Sequence, residues 1–346
     1  MNISDLLLPW YTKNHRKLPW RDTTSAYKIW LSEIMLQQTR VEQGLPYYLK
    51  FTEHFPSVHH LANASEQEVL SLWQGLGYYS RARNLHATAK HISKNGGQFP
   101  SNYKDLLKLK GIGEYTAAAI ASFAFNLPHP VLDGNVYRVI ARLFNYAKPV
   151  NTTQGKKDIS ELLHAVFDSE QPAAFNQAIM ELGSLVCTPQ KPNCTTCPLQ
   201  EKCLAFQHKT QDKLPLKEQK VKVKSIAHNY FIFKHANHYY IQQRTAGIWQ
   251  NLYQFPLIEG TVKSSQLAQN IKTLTNTIIA QINLQFSTQH LLSHRKISAN
   301  FFEVETTIRP HFLKSDIFEI NKEELGTTYP ISVLTKKYLD KKEDDK

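Results

Sequence analysis

Apolar residues recur at the three- and four-residue spacing of amphipathic helices through roughly the first 205 positions of the chain. The segment from residue 26 to 41 shows this pattern, with Ile29, Trp30, Ile34 and Leu36 at helical intervals. Segments that alternate in the manner of a half-buried strand are few here, so this half is predicted to be all-α. Helices are predicted over residues 26–41, 66–76, 80–94, 102–109, 115–124, 134–144, 156–167 and 172–185.

The pattern changes after residue 205. Residues 206–224 are polar and basic, with almost no large apolar side chains, which is typical of a linker with little structure of its own. Strand-like segments rich in aromatic and β-branched residues follow at 226–233, 239–243, 285–290 and 299–306, and a helix is predicted over 266–281. We therefore expect an all-α domain over residues 1–205, a linker over 206–224 and an α+β domain over 225–340.

Composition and charge narrow the class of protein. The chain has 346 residues and a formal net charge of +12, which favours a polyanionic partner such as nucleic acid. It contains no stretch of about eighteen uncharged apolar residues, so we expect no membrane span. The N-terminal segment lacks the basic-then-apolar pattern of a signal peptide, and a cytoplasmic protein is expected.

All four cysteines of the chain lie close together, at Cys187, Cys194, Cys197 and Cys203. Structural disulfides are not expected in a reducing cytosol, so the cluster suggests a metal centre. Thiolates suit zinc or an iron–sulfur cluster, and zinc sites usually pair short-spaced cysteines on two separate knuckles. Here only the middle pair has knuckle spacing, which favours an iron–sulfur cluster over zinc and leaves zinc as the alternative.

The segment 106–120, LLKLKGIGEYTAAAI, has a Gly-x-Gly turn between two predicted helices. Gly111 and Gly113 permit a tight turn with positive φ and the close approach of another backbone. The free amides at the start of the second helix, near Tyr115, then form a site for a phosphate group. This pattern is typical of a helix–hairpin–helix that binds DNA without regard to sequence.

Two carboxylates are candidates for chemistry. Asp133 follows the apolar pair 131–132 and precedes a predicted helix, so it is either a plain N-cap or a cap that also faces a cleft. Glu33 lies among apolar neighbours on the 26–41 segment, where burial would raise its pKa and suit it to general-acid chemistry. The alternative for Glu33 is an ion pair with Arg21 or Arg40.

The order of the hairpin, the segment LDGNV at 132–136 and the four-cysteine loop resembles the endonuclease III-like DNA glycosylase superfamily. Two further segments, WLSEIMLQQT at 30–39 and LWQGLGYYSRARNL at 72–85, are similar to the A/G-specific adenine DNA glycosylases of the MutY family. This resemblance implies a two-lobed, all-α helix–hairpin–helix glycosylase domain with an iron–sulfur cluster loop. It also implies a C-terminal α+β Nudix-like domain, which here has no Nudix catalytic box.

The resemblance implies a substrate, a cofactor and two catalytic roles. The substrate is double-stranded DNA in which adenine is mispaired with 8-oxoguanine or guanine, and the protein is expected to act as a monomer. A [4Fe–4S] cluster would be bound by the four cysteines. Glu33 matches the acid that protonates adenine and activates water, and Asp133 matches the carboxylate that stabilises the sugar cation. Such a cation needs a nearby negative charge, and the target base must be flipped out of the duplex.

Further residues match positions that contact the DNA in this family. Gln38, Leu76 and Tyr78 match positions that enter the duplex, with packing at a helix end as the alternative. Trp20, Arg21 and Glu181 match positions around the adenine pocket, and a solvated helix carboxylate is the alternative for Glu181.

The C-terminal half carries the expected reader of the oxidised base. In the family a Phe-Ser-His turn contacts 8-oxoguanine, and this chain has Leu292, Ser293 and His294 there. The hydroxyl and the imidazole can still form hydrogen bonds, whereas the leucine removes the apolar contact of the ring. The alternative is an ordinary polar turn.

Tyr115 occupies the position at which bifunctional relatives carry a lysine that attacks the sugar. Since a phenol cannot form a Schiff base, the enzyme is expected to be monofunctional. The competing enzyme is an endonuclease III-like glycosylase/lyase for oxidised pyrimidines, which borohydride trapping would reveal. A DNA-binding protein without catalytic activity is a third hypothesis, under which Glu33→Gln would change no measurable activity.

Overall fold

The computed structural model describes residues 2–218, 223–235, 238–292, 295–306 and 308–344. The chain divides into two compact units, one formed by Met1–Ala62 with Ala87–Lys220 and the other by Asn63–His86 with Val221–Lys346. Within the described ranges, no helix has both the length and the apolar character needed to cross a membrane.

Helices account for most of the regular structure in the first half of the chain, as its apolar periodicity predicts. Their bounds are α1 Ser4–Asn14, α2 Ala26–Leu36, α3 Val41–His54, α4 Val58–Asn63, α5 Glu66–Trp73, α6 Ser80–Lys94, α7 Tyr103–Leu106, α8 Glu114–Phe125, α9 Gly134–Leu143, α10 Thr153–His164, α11 Pro172–Leu185 and α12 Leu204–Gln207. Short 3₁₀ turns cover Cys194–Thr196 and Gln200–Lys202.

The core of the first unit lies where α11 packs against α1 and α9. Phe175, Ile179 and Ile140 are completely buried there, and α11 begins with a proline at its first turn, where no backbone donor is lost. The predicted bounds of this helix, 172–185, are confirmed. The adjoining helix α8 packs against α2, so the helix after the hairpin lies beside the helix that carries Glu33.

The predicted helix over 26–41 is wrong at its C-terminal end. Helix α2 stops at Leu36, Gln38 adopts a left-handed φ of 58°, and α3 starts at Val41. The run of apolar residues continues across this break, because both α2 and α3 bury side chains in the same region, and periodicity alone therefore does not show the break.

The second unit is built on a sheet that contains seven strands among its described residues. Their bounds are β1 Lys224–His235, β2 His238–Gln243, β3 Tyr253–Gln254, β4 Leu257–Glu259, β5 Ile279–Leu291, β6 Arg295–Thr306 and β7 Ile317–Asn321. The order is β3-β2-β1-β6-β5, with β4 beside β1 and β7 beside β2. The central pair, β1 and β6, is parallel, and β5 runs antiparallel to β6.

Both faces of this sheet are buried. On one face Phe231 and Phe302 stack with ring centroids 5.5 Å apart, beside helix α13 (Leu267–Lys272). On the other, Tyr230, Phe301 and Tyr338 form a ring stack with successive centroids 4.7 and 5.0 Å apart, which joins α14 (Val333–Asp344) to the sheet. The expected pairing of an all-α half with an α+β half is confirmed.

The helix predicted over 266–281 is too long. Helix α13 spans only Leu267–Lys272, and residues from Ile279 onward belong to β5. The Thr275 hydroxyl donates to the His311 carbonyl oxygen, and the Thr277 backbone N–H donates to the Thr275 hydroxyl at 3.1 Å. Such threonine side-chain bonds to the backbone compete with helical hydrogen bonding.

Part of the segment predicted to be a linker with little structure is fixed by hydrogen bonds to the first unit. The Arg142 guanidinium Nε donates to the Leu214 carbonyl oxygen at 3.0 Å, and the Val150 N–H donates to the Leu216 carbonyl oxygen at 3.0 Å. Leu214 itself is buried. Residues 214–216 therefore lie against the helices of the first unit.

Candidate active site

Glu33 lies on helix α2, which starts at an N-cap formed by the Ser25 hydroxyl. The carboxyl group is buried, with 7 % of the residue exposed, and it faces a cavity of about 170 Å³ in the first unit. Ile29 and Leu36, one turn away on either side, also line this cavity. The carboxyl group is therefore withdrawn from solvent, in a cavity that polar as well as apolar side chains line.

Burial and the hydroxyl of one tyrosine have the largest effects on the pKa of the Glu33 carboxyl. Burial raises its pKa to about 7, while the Tyr115 hydroxyl, which donates to Glu33 Oε2 at 2.7 Å, and the charge of Arg21 act in the opposite direction. The negative charge of Asp133 raises the pKa further. A carboxyl with a pKa near 7 can both hold and release a proton at neutral pH.

Asp133 is the N-cap of α9 and also lines the same cavity as Glu33. Its Oδ1 accepts the backbone N–H groups of Asn135 and Val136 at 2.8 and 2.7 Å, and its Oδ2 accepts the Asn135 side-chain amide at 2.8 Å. Burial raises the pKa of Asp133, and these three donors oppose the rise because they stabilise the anion. Asp133 is therefore both a helix N-cap and a carboxylate that lines the cavity, so the two interpretations are compatible.

A buried asparagine fixes the segment that leads to Asp133. The Asn176 Oδ1 accepts the Val131 N–H at 3.0 Å, and its Nδ2 donates to the Ser122 hydroxyl at 2.9 Å and to the His129 carbonyl oxygen at 2.8 Å. Asn176 has no exposed surface, so these bonds are not shared with solvent. The sequence did not single out this residue, because its partners lie 45 to 54 positions away.

The hairpin has the predicted turn, but only one of its glycines requires positive φ. Gly111 has a φ of 80°, whereas Gly113 has a φ of −94° and is the N-cap of α8. A Cβ on Gly113 would meet nothing within 4 Å, and no side chain caps the helix there. The glycine thus leaves the first amides of α8 open, and a helix N-terminus of this kind attracts anions.

Glu181 also lines the cavity and is completely buried, so the solvated alternative is wrong. Arg21 binds it in bidentate fashion at 2.9 and 2.7 Å, and Arg16 donates to it from Nε at 3.0 Å and from Nη2 at 2.6 Å. Against the opposing effect of burial, the two arginines lower the pKa of Glu181 to about 2, so it is anionic at neutral pH. The sequence missed Arg16, which no local pattern marks.

Trp20 also lines this cavity and is 8 % exposed. Its ring packs edge-on against Tyr48, with centroids 5.0 Å apart. The structure thus brings Trp20, Arg21 and Glu181 together with both candidate catalytic carboxyls.

The three residues expected to enter the duplex differ in exposure. In the first unit, Gln38 is exposed and has a left-handed backbone. In the second unit, Tyr78 is 49 % exposed with a φ of 50°, and the Arg81 guanidinium lies 5.5 Å from its ring centroid. Leu76 is 4 % exposed, which favours the packing interpretation for this residue.

Ser293 and His294 lie outside the described residues. The strand that leads to them, β5, ends at Leu291, which is 71 % exposed. Leu291 and Leu292 line a cavity of about 450 Å³ within the second unit, together with Tyr78 and Trp249.

The four cysteines are unpaired thiols on one half-buried loop. Arg142, which is 2 % exposed, places its Nη1 3.3 Å from Cys187 Sγ and 2.7 Å from the Thr188 carbonyl oxygen. Across the part of the chain that the structure describes, no three or more Cys, His, Asp or Glu side chains are arranged as a metal site. The chemistry of the donor set, four thiols on one loop beside a buried guanidinium, still fits a cluster that takes thiolate ligands.

Sequence comparison identifies two domains. Residues 31–166 match the HhH-GPD superfamily of base excision DNA repair proteins, and residues 228–341 match the NUDIX domain. An adenine DNA glycosylase from Buchnera aphidicola of Schizaphis graminum is 38 % identical over 265 residues, which are 76 % of each chain. Another from Buchnera aphidicola of Acyrthosiphon pisum is 35 % identical over 84 % of each chain, and the mouse adenine DNA glycosylase is 43 % identical over 58 % of this chain and 41 % of its own.

Solved structures match about three fifths of the chain. A thermostable thymine-DNA glycosylase superposes with a TM-score of 0.54 at 28 % identity, over 59 % of this chain and 94 % of its own. An endonuclease III in a non-covalent DNA complex superposes with a TM-score of 0.51 at 20 % identity, over 60 % of this chain and 94 % of its own, which supports the fold alone.

Proposed function

Because the chain belongs to the family of adenine DNA glycosylases and removes adenine from DNA in base excision repair, we propose that Glu33 and Asp133 carry out the chemistry. The observation that supports this assignment is the meeting of both carboxyls in one buried cavity, where burial raises the pKa of Glu33 to about 7 and three N–H donors oppose the rise that burial causes at Asp133. Pairs of titratable groups whose surroundings differ in this way are typical of acid–base catalysis.

Glu33 acts first as an acid. It donates its proton to a ring nitrogen of the flipped-out adenine, and the bond between the sugar and the base breaks with its electron pair going to the protonated base. Adenine thus departs as a neutral molecule and leaves a cation on the sugar. The Glu33 carboxylate then takes a proton from the attacking water, which supplies the new bond to the sugar and restores the acid.

Asp133 stabilises the sugar cation. Three N–H donors favour its anionic form, and the N-terminal end of α9 adds a favourable dipole. A negative charge that is already oriented costs little reorganisation when the cation develops.

The proposed reaction stops at base removal. The hydroxyl of Tyr115 already donates to Glu33 at 2.7 Å, and a phenol supplies no amine for a Schiff base at that position. We therefore propose a monofunctional glycosylase that leaves an abasic site, in place of a glycosylase/lyase.

Cys187, Cys194, Cys197 and Cys203 would hold a [4Fe–4S] cluster. Such a cluster ties its four ligands together and thereby stabilises the loop that carries them. The buried Arg142 donates from Nη1 to Cys187 Sγ at 3.3 Å, which helps to hold this side chain in place.

The proposed DNA contacts lie on both halves of the chain. The open amides behind Gly111 and Gly113 bind a phosphate, Gln38 and Tyr78 enter the duplex, and Trp20, Arg21 and Glu181 surround adenine.

We also propose that residues 1–205 form the catalytic domain, that 206–224 link it to a domain over 225–340, and that the protein acts as a monomer. In the second domain, Ser293 and His294 contact 8-oxoguanine opposite the adenine.

Single-turnover assays on duplexes with adenine opposite 8-oxoguanine, guanine or thymine test the proposal. We expect adenine release that is fastest opposite 8-oxoguanine, strand cleavage only after alkali and no efficient borohydride adduct. Glu33→Gln and Asp133→Asn should each abolish release while duplex binding survives, whereas Glu161→Gln on an exposed face of α10 should behave like the parent protein. Retained release in either catalytic variant would refute the assignment.

A further inference from the structure

Hydrogen bonds fix the backbone of residues 214–218 against an earlier part of the first unit. The Asn151 side chain forms a reciprocal pair with Glu218, because its Oδ1 accepts the Glu218 N–H at 2.8 Å and its Nδ2 donates to the Glu218 carbonyl oxygen at 3.3 Å. The carbonyl oxygens of Leu214 and Leu216 accept the bonds already described. Side chains on a backbone held in this way keep one position, which those of a flexible linker do not.

This fixed segment lines a cavity of about 430 Å³ in the first unit. We call it the basic cavity, because four of its lining residues are cations: Arg138 on α9, Lys156 on α10, Lys213 and Lys217. The three lysines are exposed, whereas Arg138 is buried. Among the lining residues that the structure describes, Asp212 is the single acid, so positive charge is in excess.

The cations of the basic cavity are not paired with carboxylates. Across the described ranges of the chain, none of the four forms an ion pair. The buried Arg138 donates instead to neutral oxygens, from Nε to the Cys187 carbonyl at 2.6 Å and from Nη2 to the Gly183 carbonyl at 2.6 Å. A concave site with unpaired positive charge attracts anions.

The basic cavity and the catalytic cavity border the same turn of helix α9. Asp133 and Asn135 line the catalytic cavity, and Gly134, which lies between them in the chain, lines the basic one. A Cβ on Gly134 would meet nothing within 4 Å, so the backbone is open there. Because successive phosphates of one strand are spaced about 3.4 Å along a duplex axis, the phosphates next to a sugar held at Asp133 lie near this turn.

We propose that the basic cavity binds backbone phosphates beside the target adenosine, on the strand that carries it, through Lys156, Lys213 and Lys217. This inference rests on the proposed role of Asp133 at the target sugar, which decides which strand passes α9. It gives part of the segment predicted to be a linker a role in DNA binding. Lysine offers a compact charge to a phosphate and reads no base edge, so the contact adds affinity without regard to sequence.

The salt dependence of duplex affinity tests the contact. Dissociation constants are measured between about 50 and 200 mM salt for the parent holoprotein, Lys156→Gln and the double variant Lys213→Gln/Lys217→Gln. The target adenosine carries a 2′-fluorine, which disfavours a sugar cation and keeps the base attached. Lys157→Gln is the matched control, because Lys157 follows Lys156 on α10, has the same charge and pairs with Glu161 at 3.9 Å.

The expected changes follow from counterion release. Each lysine that contacts a phosphate contributes about 0.9 to the slope of log affinity against log salt concentration. We therefore expect the slope to become shallower by about one in Lys156→Gln and by about two in the double variant, and to stay unchanged in Lys157→Gln. Since all these lysines are exposed, the variants should keep the urea midpoint of the parent protein.

Neutral methylphosphonates locate the contact on the DNA. Placed one at a time beside the target adenosine, they should weaken binding of the parent protein at one or two positions. The same replacements should have little further effect on the double variant, because both changes remove one interaction. Methylphosphonates in the opposite strand should affect the parent protein and the double variant equally.

Two results would overturn the inference. One is a salt slope that is unchanged in the lysine variants or that falls equally in Lys157→Gln. The other is a methylphosphonate effect on the target strand that persists in full in the double variant. Failure of the proposed role of Asp133 would appear separately, as retained adenine release in Asp133→Asn with the salt slopes and methylphosphonate effects as expected here.

Discussion

The hydrogen bond from Tyr115 to Glu33 allows a sharp test of how the acid is tuned. The hydroxyl donates to Glu33 Oε2 at 2.7 Å and favours the anion, while burial raises the pKa of Glu33 to about 7. In Tyr115→Phe the ring remains and the donor is lost. The pKa of Glu33 must then rise above its value in the parent protein.

The size of the rise follows from the energy of the lost bond. A hydrogen bond to a charged group contributes about 1.5–3 kcal/mol, and one pKa unit corresponds to about 1.4 kcal/mol, so the rise is about one to two units. Because the cavity can admit water as a replacement donor, we expect the lower end, a pKa of about 8.

Since protonated Glu33 is the acid, the rate of adenine release falls as the pH rises through the pKa of this group. We expect the alkaline limb of the single-turnover pH–rate profile to lie near pH 7 in the parent protein and about one unit higher in Tyr115→Phe. Rates should be measured from pH 5.5 to 9.5 at saturating enzyme.

Tyr27→Phe is the matched control. Tyr27 lies on the same helix as Glu33, is equally buried, and donates to the Phe55 carbonyl oxygen at 2.7 Å. Loss of the Tyr27 hydroxyl should leave the alkaline limb of the pH–rate profile at the same pH as in the parent protein. A limb that stays fixed in Tyr115→Phe, or moves to lower pH, would contradict the proposed tuning of Glu33.

Three further substitutions test other parts of the site. Asn176→Leu removes the amide that holds the approach to Asp133, so adenine release should slow about tenfold with duplex affinity unchanged, as single-turnover and binding assays would show. Glu181→Gln leaves two arginines without their buried anion and should cost about 3 kcal/mol in urea unfolding at pH 7. The parent protein should lose this contribution as the pH falls from about 4.5 towards 2, since folding lowers the pKa of Glu181 to about 2. Arg142→Leu should reduce iron bound per chain and loosen the cysteine loop, and full retention of iron would argue against its support of Cys187.

Local signals in the sequence predicted much of the fold. The bounds of α11 were correct because a proline at its start and a continuous apolar face mark the helix. The placement of Asp133 at a helix N-cap was also correct, since the residue type and the following glycine are local features. The division into an all-α and an α+β half followed from the change in periodicity.

The contacts that define the site could not be predicted from local patterns in the sequence. Tyr115 and Glu33 are 82 positions apart, and Arg16 and Glu181 are 165 apart, so no spacing rule connects them. The sequence marks Tyr115 as a residue near the phosphate site and as the replacement for a lysine, but it does not show that the Tyr115 hydroxyl donates to the acid. The helix break at Gln38 was missed for a related reason, because tertiary packing determines which apolar residues share one helix.

Glu33 and Asp133 differ in the N–H donors available to them because they occupy different positions in their helices. Glu33 lies within a helix, where every nearby N–H is already bonded, so burial dominates and raises its pKa to about 7. Asp133 lies at a helix start, where unbonded N–H groups converge on it and favour the anion. The anion in turn raises the pKa of Glu33, so Asp133 contributes to the acid as well as to the cation. Removing either carboxyl therefore damages both steps, and the effects of the two substitutions should fall short of adding.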